Sequence, residues 1–138
     1  MRRAPEYEAL RWLQQSEEDL DAAKYNFEGG KYYLVCFLAQ QIAEKALKAL
    51  IYFQGEEIVI GHSVAMLAER VRNYGIAIDE LADEISVLDG YYIPTRYPNG
   101  LPDGIPARVY NGHSAENALR LAEKTVEFAS KIIIAKSS

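Results

Sequence analysis

YYLVCFLAQQIAEKALKALIYF, residues 32–53, runs from end to end without a proline or a glycine. Its alanines, leucines, glutamines, glutamate and lysines are good helix formers. The polar residues Gln40, Glu44 and Lys48 recur every fourth position and so share one helical face, while most other positions are apolar. A helix apolar on most sides belongs at the centre of a protein. Glu44 stands N-terminal to Lys48, the better order for an i,i+4 ion pair, worth about 0.5 kcal/mol in an exposed helix. In so apolar a helix these groups fall partly inside and must find partners. Gln40 or Gln41 is expected to reach a tyrosine or a loop carbonyl. Cys36, the single cysteine, sits within the apolar run LVCFLA and reads as a buried, inert thiol.

Outward from this stretch the helical period continues. Upstream, Pro5 suits a first helical turn, and Leu10, Leu13, Leu20, Ala23 and Phe27 mark one stripe until EGG ends it. Downstream, Ser63 stands as an N-cap before VAMLAERV, and Asp79 as another before a segment in which Ile78, Leu81, Ile85, Leu88 and Tyr92 step by three and four. Gly75 separates these two short helices. Residues 92–112 hold four of the five prolines and read as a long irregular loop, a feature that in a small domain is commonly functional. Ser114 is expected to cap a last helix with the stripe Ala118, Ala122, Val126, Ala129 and Ile133. Three long helices and a broken one predict an all-α fold, an up-and-down four-helix bundle, with residues 1–138 as one domain.

Charge excludes several functions. The net charge is -5, and it alternates along the chain: residues 6–28 hold seven acids and two bases, 31–54 three bases and one acid, 62–93 six acids and two bases, 106–138 five bases and three acids. Neighbouring helices of opposite sign attract modestly, and no broad basic face results, so duplex DNA is not an expected partner. No run approaches the roughly 18 apolar residues of a membrane span, no signal-like segment opens the chain, and the cytoplasm is the expected location. Neither a metal nor a cofactor is expected.

Two stretches carry candidate chemistry. In YYIPTRYP, Arg96 lies among tyrosines and could hold a phosphate bidentately while Tyr92 or Tyr97 stacks a base; alternatively the arginine caps the preceding helix and the tyrosines pin the loop. In ARVYNGH, Arg108 and His113 stand five positions apart around Tyr110, with Pro106 and Gly112 placing the pair in a loop. His62 in GHSVAML reads as a helix-entry residue whose ring bonds a nearby carbonyl, with no chemistry assigned.

AAKYNFEGGKYYLVCFLAQQIAEKALKALIYFQGE, GHSVAMLAERV, YYIPTRYPNG and SAENALRLAEKTVEFASKII, in that order, resemble the HEPN domain family over nearly the whole chain. The resemblance implies a helical bundle that commonly forms homodimers and serves in one of two ways. One is as the substrate- or nucleotide-binding partner of a minimal nucleotidyltransferase. The other is as a metal-independent endoribonuclease, often a toxin of a toxin-antitoxin pair, whose family motif of Arg, four to six residues and His is matched by Arg108 and His113. In that role His113 accepts a 2′-hydroxyl proton and Arg108 steadies the phosphoryl oxygens. Val109 stands where the active ribonucleases carry a polar residue, and Ser114 and Ala115 where partner-modified toxins carry a tyrosine. The favoured expectation is therefore a non-catalytic module presenting a nucleotide or RNA at Arg96, Tyr97, Tyr92, Arg108 and Tyr110, with the ribonuclease as the alternative.

Overall fold

The structure, a computed structural model, describes residues 4–137. Among them every regular element is helical, the class that the periodicity predicts. Helix α1, Pro5–Glu28, begins with proline in its first turn, where a missing N–H costs nothing. It stops at Gly29 and Gly30, the second with a φ of 75° that only glycine adopts freely. Helix α2, Tyr32–Phe53, is the central helix: Val35, Ala39, Ile42, Ala43, Ala46, Leu47, Leu50 and Ile51 are all fully buried. Helix α1 and the last helix, α6 (Gly112–Ser137), both pack on α2 and on each other. The shorter α3, Val64–Asn73, lies on α2, and α4, Asp79–Ile85, bridges α3 and α6 before tightening into a 3₁₀ turn, Ser86–Tyr91.

The apolar stripes meet in one core. Leu13, Leu20 and Ala23 of α1, Ile78, Leu81, Ile85 and Leu88 of the α4 segment, and Ala118, Ala122, Val126, Ala129 and Ile133 of α6 are buried, while Leu10 and Phe27 pack at the edge. The many alanines let the long helices approach closely. No helix among the described residues is long and apolar enough to cross a membrane.

Helix ends depart from the sequence reading in three places. Ser63 caps α3 as expected, its Oγ accepting the Met66 N–H at 3.2 Å. Asp89, however, reinforces that end from the 3₁₀ turn: its carboxylate accepts the Val64 N–H (2.6 Å), the Ala65 N–H (3.1 Å) and the Ser63 hydroxyl (2.9 Å). The positive end of α3 is thus already neutralised within the chain. Asp79 is not a cap but the first residue of α4; Ile78 precedes it because burial of its side chain fixes that corner. Ser114 does not cap α6 either. Asn111 does, accepting the Ser114 N–H on Oδ1 at 2.9 Å, since the helix starts three residues earlier than expected, at Gly112. Asn111→Ala should accordingly cost about 1 kcal/mol in urea unfolding, and Ser114→Ala much less.

Candidate functional site

The proline-rich segment is not wholly irregular. A 3₁₀ turn covers Pro98–Gly100, and a single helical turn, α5, spans Pro106–Val109, each with a proline in its first turn. The segment folds back on itself so tightly that a Cβ at Gly100 would come within 2.9 Å of the Pro94 Cα. Thr95 is buried and its hydroxyl donates to the Tyr91 carbonyl. These contacts hold Arg96 in one place. Its Nε donates to the Tyr92 carbonyl at 2.8 Å, and its guanidinium carbon lies 4.5 Å from the Tyr92 ring centre, 4.7 Å from that of Phe37 and 5.2 Å from that of Tyr97. Of the two roles open to Arg96 in the sequence, the capping one is present: Nε caps the preceding turn, and the guanidinium also lies within cation–π distance of three aromatic rings. Among the described residues the terminal nitrogens have no hydrogen-bond or ion-pair partner.

Beside this arginine a groove of about 330 Å³ opens between α2 and the loop, lined by Tyr33, Leu34 and Phe37 on one side and Pro98, Ile105 and Pro106 on the other. Arg96 is the charged residue among those lining it. A larger groove, about 600 Å³, runs along α1 past Glu8, Arg11, Trp12, Gln15, Glu18 and Lys45; its acids and bases offset one another, so it offers an anion little attraction.

The remaining predicted residues are not gathered at Arg96. Tyr110 is partly buried and packs edge-on against Tyr91, ring centres 5.7 Å apart, so it pins the loop; burial raises the phenol of each above its ordinary value. Arg108 sits on α5 and His113 in the first turn of α6, with the extended Tyr110 between them. The placement of both in a loop is thereby corrected: proline at the start of α5 and the Asn111 cap make helical turns on either side. Gly112 packs closely here, since a Cβ would lie 3.3 Å from the Tyr32 ring. Both side chains are exposed, and among the described residues neither has a hydrogen bond or ion pair. Arg108 is also absent from the groove beside Arg96.

The HEPN domain family model matches residues 9–133. This chain belongs to the HEPN domain family. Two solved structures share the fold of this HEPN domain: TT1696 from Thermus thermophilus, 40% identical over 89% of this chain and 96% of its own, with a TM-score of 0.83, and ST0689, an archaeal HEPN homologue, 33% identical over 91% and 97%, with a TM-score of 0.74. Sacsin of Homo sapiens is 27% identical over 121 residues, which make up 86% of this chain and 3% of sacsin.

One cluster in this HEPN domain was only partly legible in the sequence, which gave the Glu44–Lys48 pair but not the residues around it. Glu44 and Lys48 are both buried, with side chains 6% and 7% exposed, and pair at 3.2 Å. Lys48 also lies 5.6 Å from the Trp12 ring centre, and Trp12 stacks on Tyr52. His62 closes the cluster: its Nδ1 lies 3.3 and 3.4 Å from the two Glu44 oxygens, so the ring bonds a carboxylate and not the expected carbonyl. Gln40 does reach a loop carbonyl as anticipated, that of His62, at 2.6 Å, and Gln41 donates to the Gln40 side chain. The signal for this was available, since a glutamate in an apolar helix demands a partner. Its partner lay eighteen residues away, beyond any periodic rule. Cys36 is buried, and burial pushes its thiol up to about 12, so it stays protonated and unreactive at neutral pH.

Proposed function

We propose that this HEPN domain is a non-catalytic accessory module that binds a nucleotide or single-stranded RNA at Arg96 and works as a homodimer beside a minimal nucleotidyltransferase. The observation that carries this reading is the guanidinium of Arg96, fixed by Tyr92, Phe37 and Tyr97 with its terminal nitrogens unspent. A planar fork held that way suits a phosphate, and the apolar groove beside it, at about 330 Å³, suits a base. The dimer and the nucleotidyltransferase partner rest on the family likeness alone. Calorimetric titration with ATP and with a short single-stranded RNA tests the reading: saturable binding that weakens in Arg96→Ala supports it, and no binding of either probe refutes it.

The endoribonuclease alternative draws on a different observation, that Arg108 and His113 are exposed at adjoining helix turns with no partner of their own among the described residues, where a second copy could complete a site. Among the described residues no side chain bonds His113 to orient it as a general base, which favours the binding module. Incubating the protein with mixed RNA, with and without a chelator, separates the two. The accessory reading predicts intact RNA; cleavage lost in His113→Ala would favour the nuclease.

A further inference from the structure

His62 is held from several sides and yet its side chain is 62% exposed. Gln40 grips its carbonyl at 2.6 Å, Ser63 beside it is tied to Asp89, and its ring lies flat on Tyr92, centres 5.1 Å apart and planes 18° from parallel. Behind it the buried Glu44 accepts at Nδ1. Besides satisfying Glu44, this contact fixes which edge of the ring faces inward. A carboxylate paired with Lys48 accepts and does not donate, so Nδ1 carries the hydrogen and, in the neutral ring, Nε2 presents a lone pair. Among the described residues Nε2 has no hydrogen-bond partner. The same Tyr92 ring that carries His62 also carries Arg96.

We infer that His62 is a specificity-determining contact of the Arg96 site, its Nε2 accepting a hydrogen bond from a ribose hydroxyl of a nucleotide whose phosphate rests on Arg96. This deepens the nucleotide-binding reading and rests on it. Glu44 is a positioning residue that fixes the tautomer and the tilt of the ring, and Tyr92 sets the spacing between the sugar contact and the phosphate contact. The ligand class is thereby narrowed to ribonucleotides. A sugar lacking the hydroxyl leaves Nε2 without its donor, an omission that costs a neutral hydrogen bond, or about tenfold in affinity.

The test uses the full chain and three probes, ATP, 2′-deoxy-ATP and 3′-deoxy-ATP, titrated calorimetrically. One deoxy analogue is expected to bind the wild type about tenfold more weakly than ATP, and its position identifies the hydroxyl. In His62→Phe, which keeps a ring on Tyr92 but has no nitrogen, ATP should bind as weakly as that analogue and the discrimination should vanish. Equal binding of all three probes to the wild type overturns the inference while leaving nucleotide binding intact. So does discrimination that survives in a folded His62→Phe. Absence of any binding to the wild type overturns the nucleotide reading and this one together.

Discussion

Replacing Lys48 with methionine is expected to lower the unfolding free energy by about 3–5 kcal/mol, because it leaves the Glu44 carboxylate buried without its cation. Lys48 and Glu44 are 7% and 6% exposed and lie 3.2 Å apart inside α2, so water cannot take over the lost interaction. His62 does not replace it, since its ring is on the solvent side and its contacts to Glu44 are longer. The sequence alone suggested a surface-strength pair worth about 0.5 kcal/mol; burial makes the difference. The double variant Glu44→Met, Lys48→Met should recover most of the loss, because apolar residues of similar length need no partners there. Urea unfolding by circular dichroism checks both. In a chain of this size the single variant should melt roughly 10–17 °C lower. If the single and double variants are equally destabilised, the cost comes from packing around Trp12 and not from the stranded charge.

Arg96→Lys should weaken nucleotide binding nearly as much as Arg96→Ala, by about 10- to 100-fold, the range expected for a charge-assisted hydrogen bond of about 1.5–3 kcal/mol. Charge alone is not what the site offers. The flat guanidinium lies against Tyr92, Phe37 and Tyr97 while its Nε holds the Tyr92 carbonyl, and an ammonium can neither stack in that way nor present a two-nitrogen edge. Arg108→Ala, by contrast, should change nucleotide affinity little, because Arg108 neither lines the groove nor touches the rings around Arg96. The unfolding midpoint of Arg108→Ala should stay close to the wild type, since Arg108 is exposed, whereas Arg96→Ala should lose about 1 kcal/mol with its cap and ring contacts.

The helices were legible because burial follows period. Leu13, Leu20 and Ala23, then Ile78, Leu81, Ile85 and Leu88, then Ala118, Ala122, Val126, Ala129 and Ile133 are stripes that a strand could not have produced, and each is buried. The ends were less legible, because several residues near a boundary make acceptable caps. Asn111 and Ser114 are both good N-cap residues, and it is Asn111 whose side chain accepts from the first turn of α6. The stack of Arg96 on its tyrosines was half visible, as Tyr92 and Tyr97 are its sequence neighbours. Phe37, the third ring, comes from α2 and has no such proximity. For the Glu44–His62 contact only the need for a partner was legible, not its identity, because it joins the central helix to a loop eighteen residues on.

The most direct measurement is the amide and aromatic NMR spectrum of the labelled protein as ATP is added. Shifts should concentrate in residues 92–98, in Tyr33 and Phe37 across the groove, and in the His62 ring, saturating together with one affinity. Shifts confined to Arg108, His113 and the start of α6, or spread along α1, would contradict a phosphate site at Arg96.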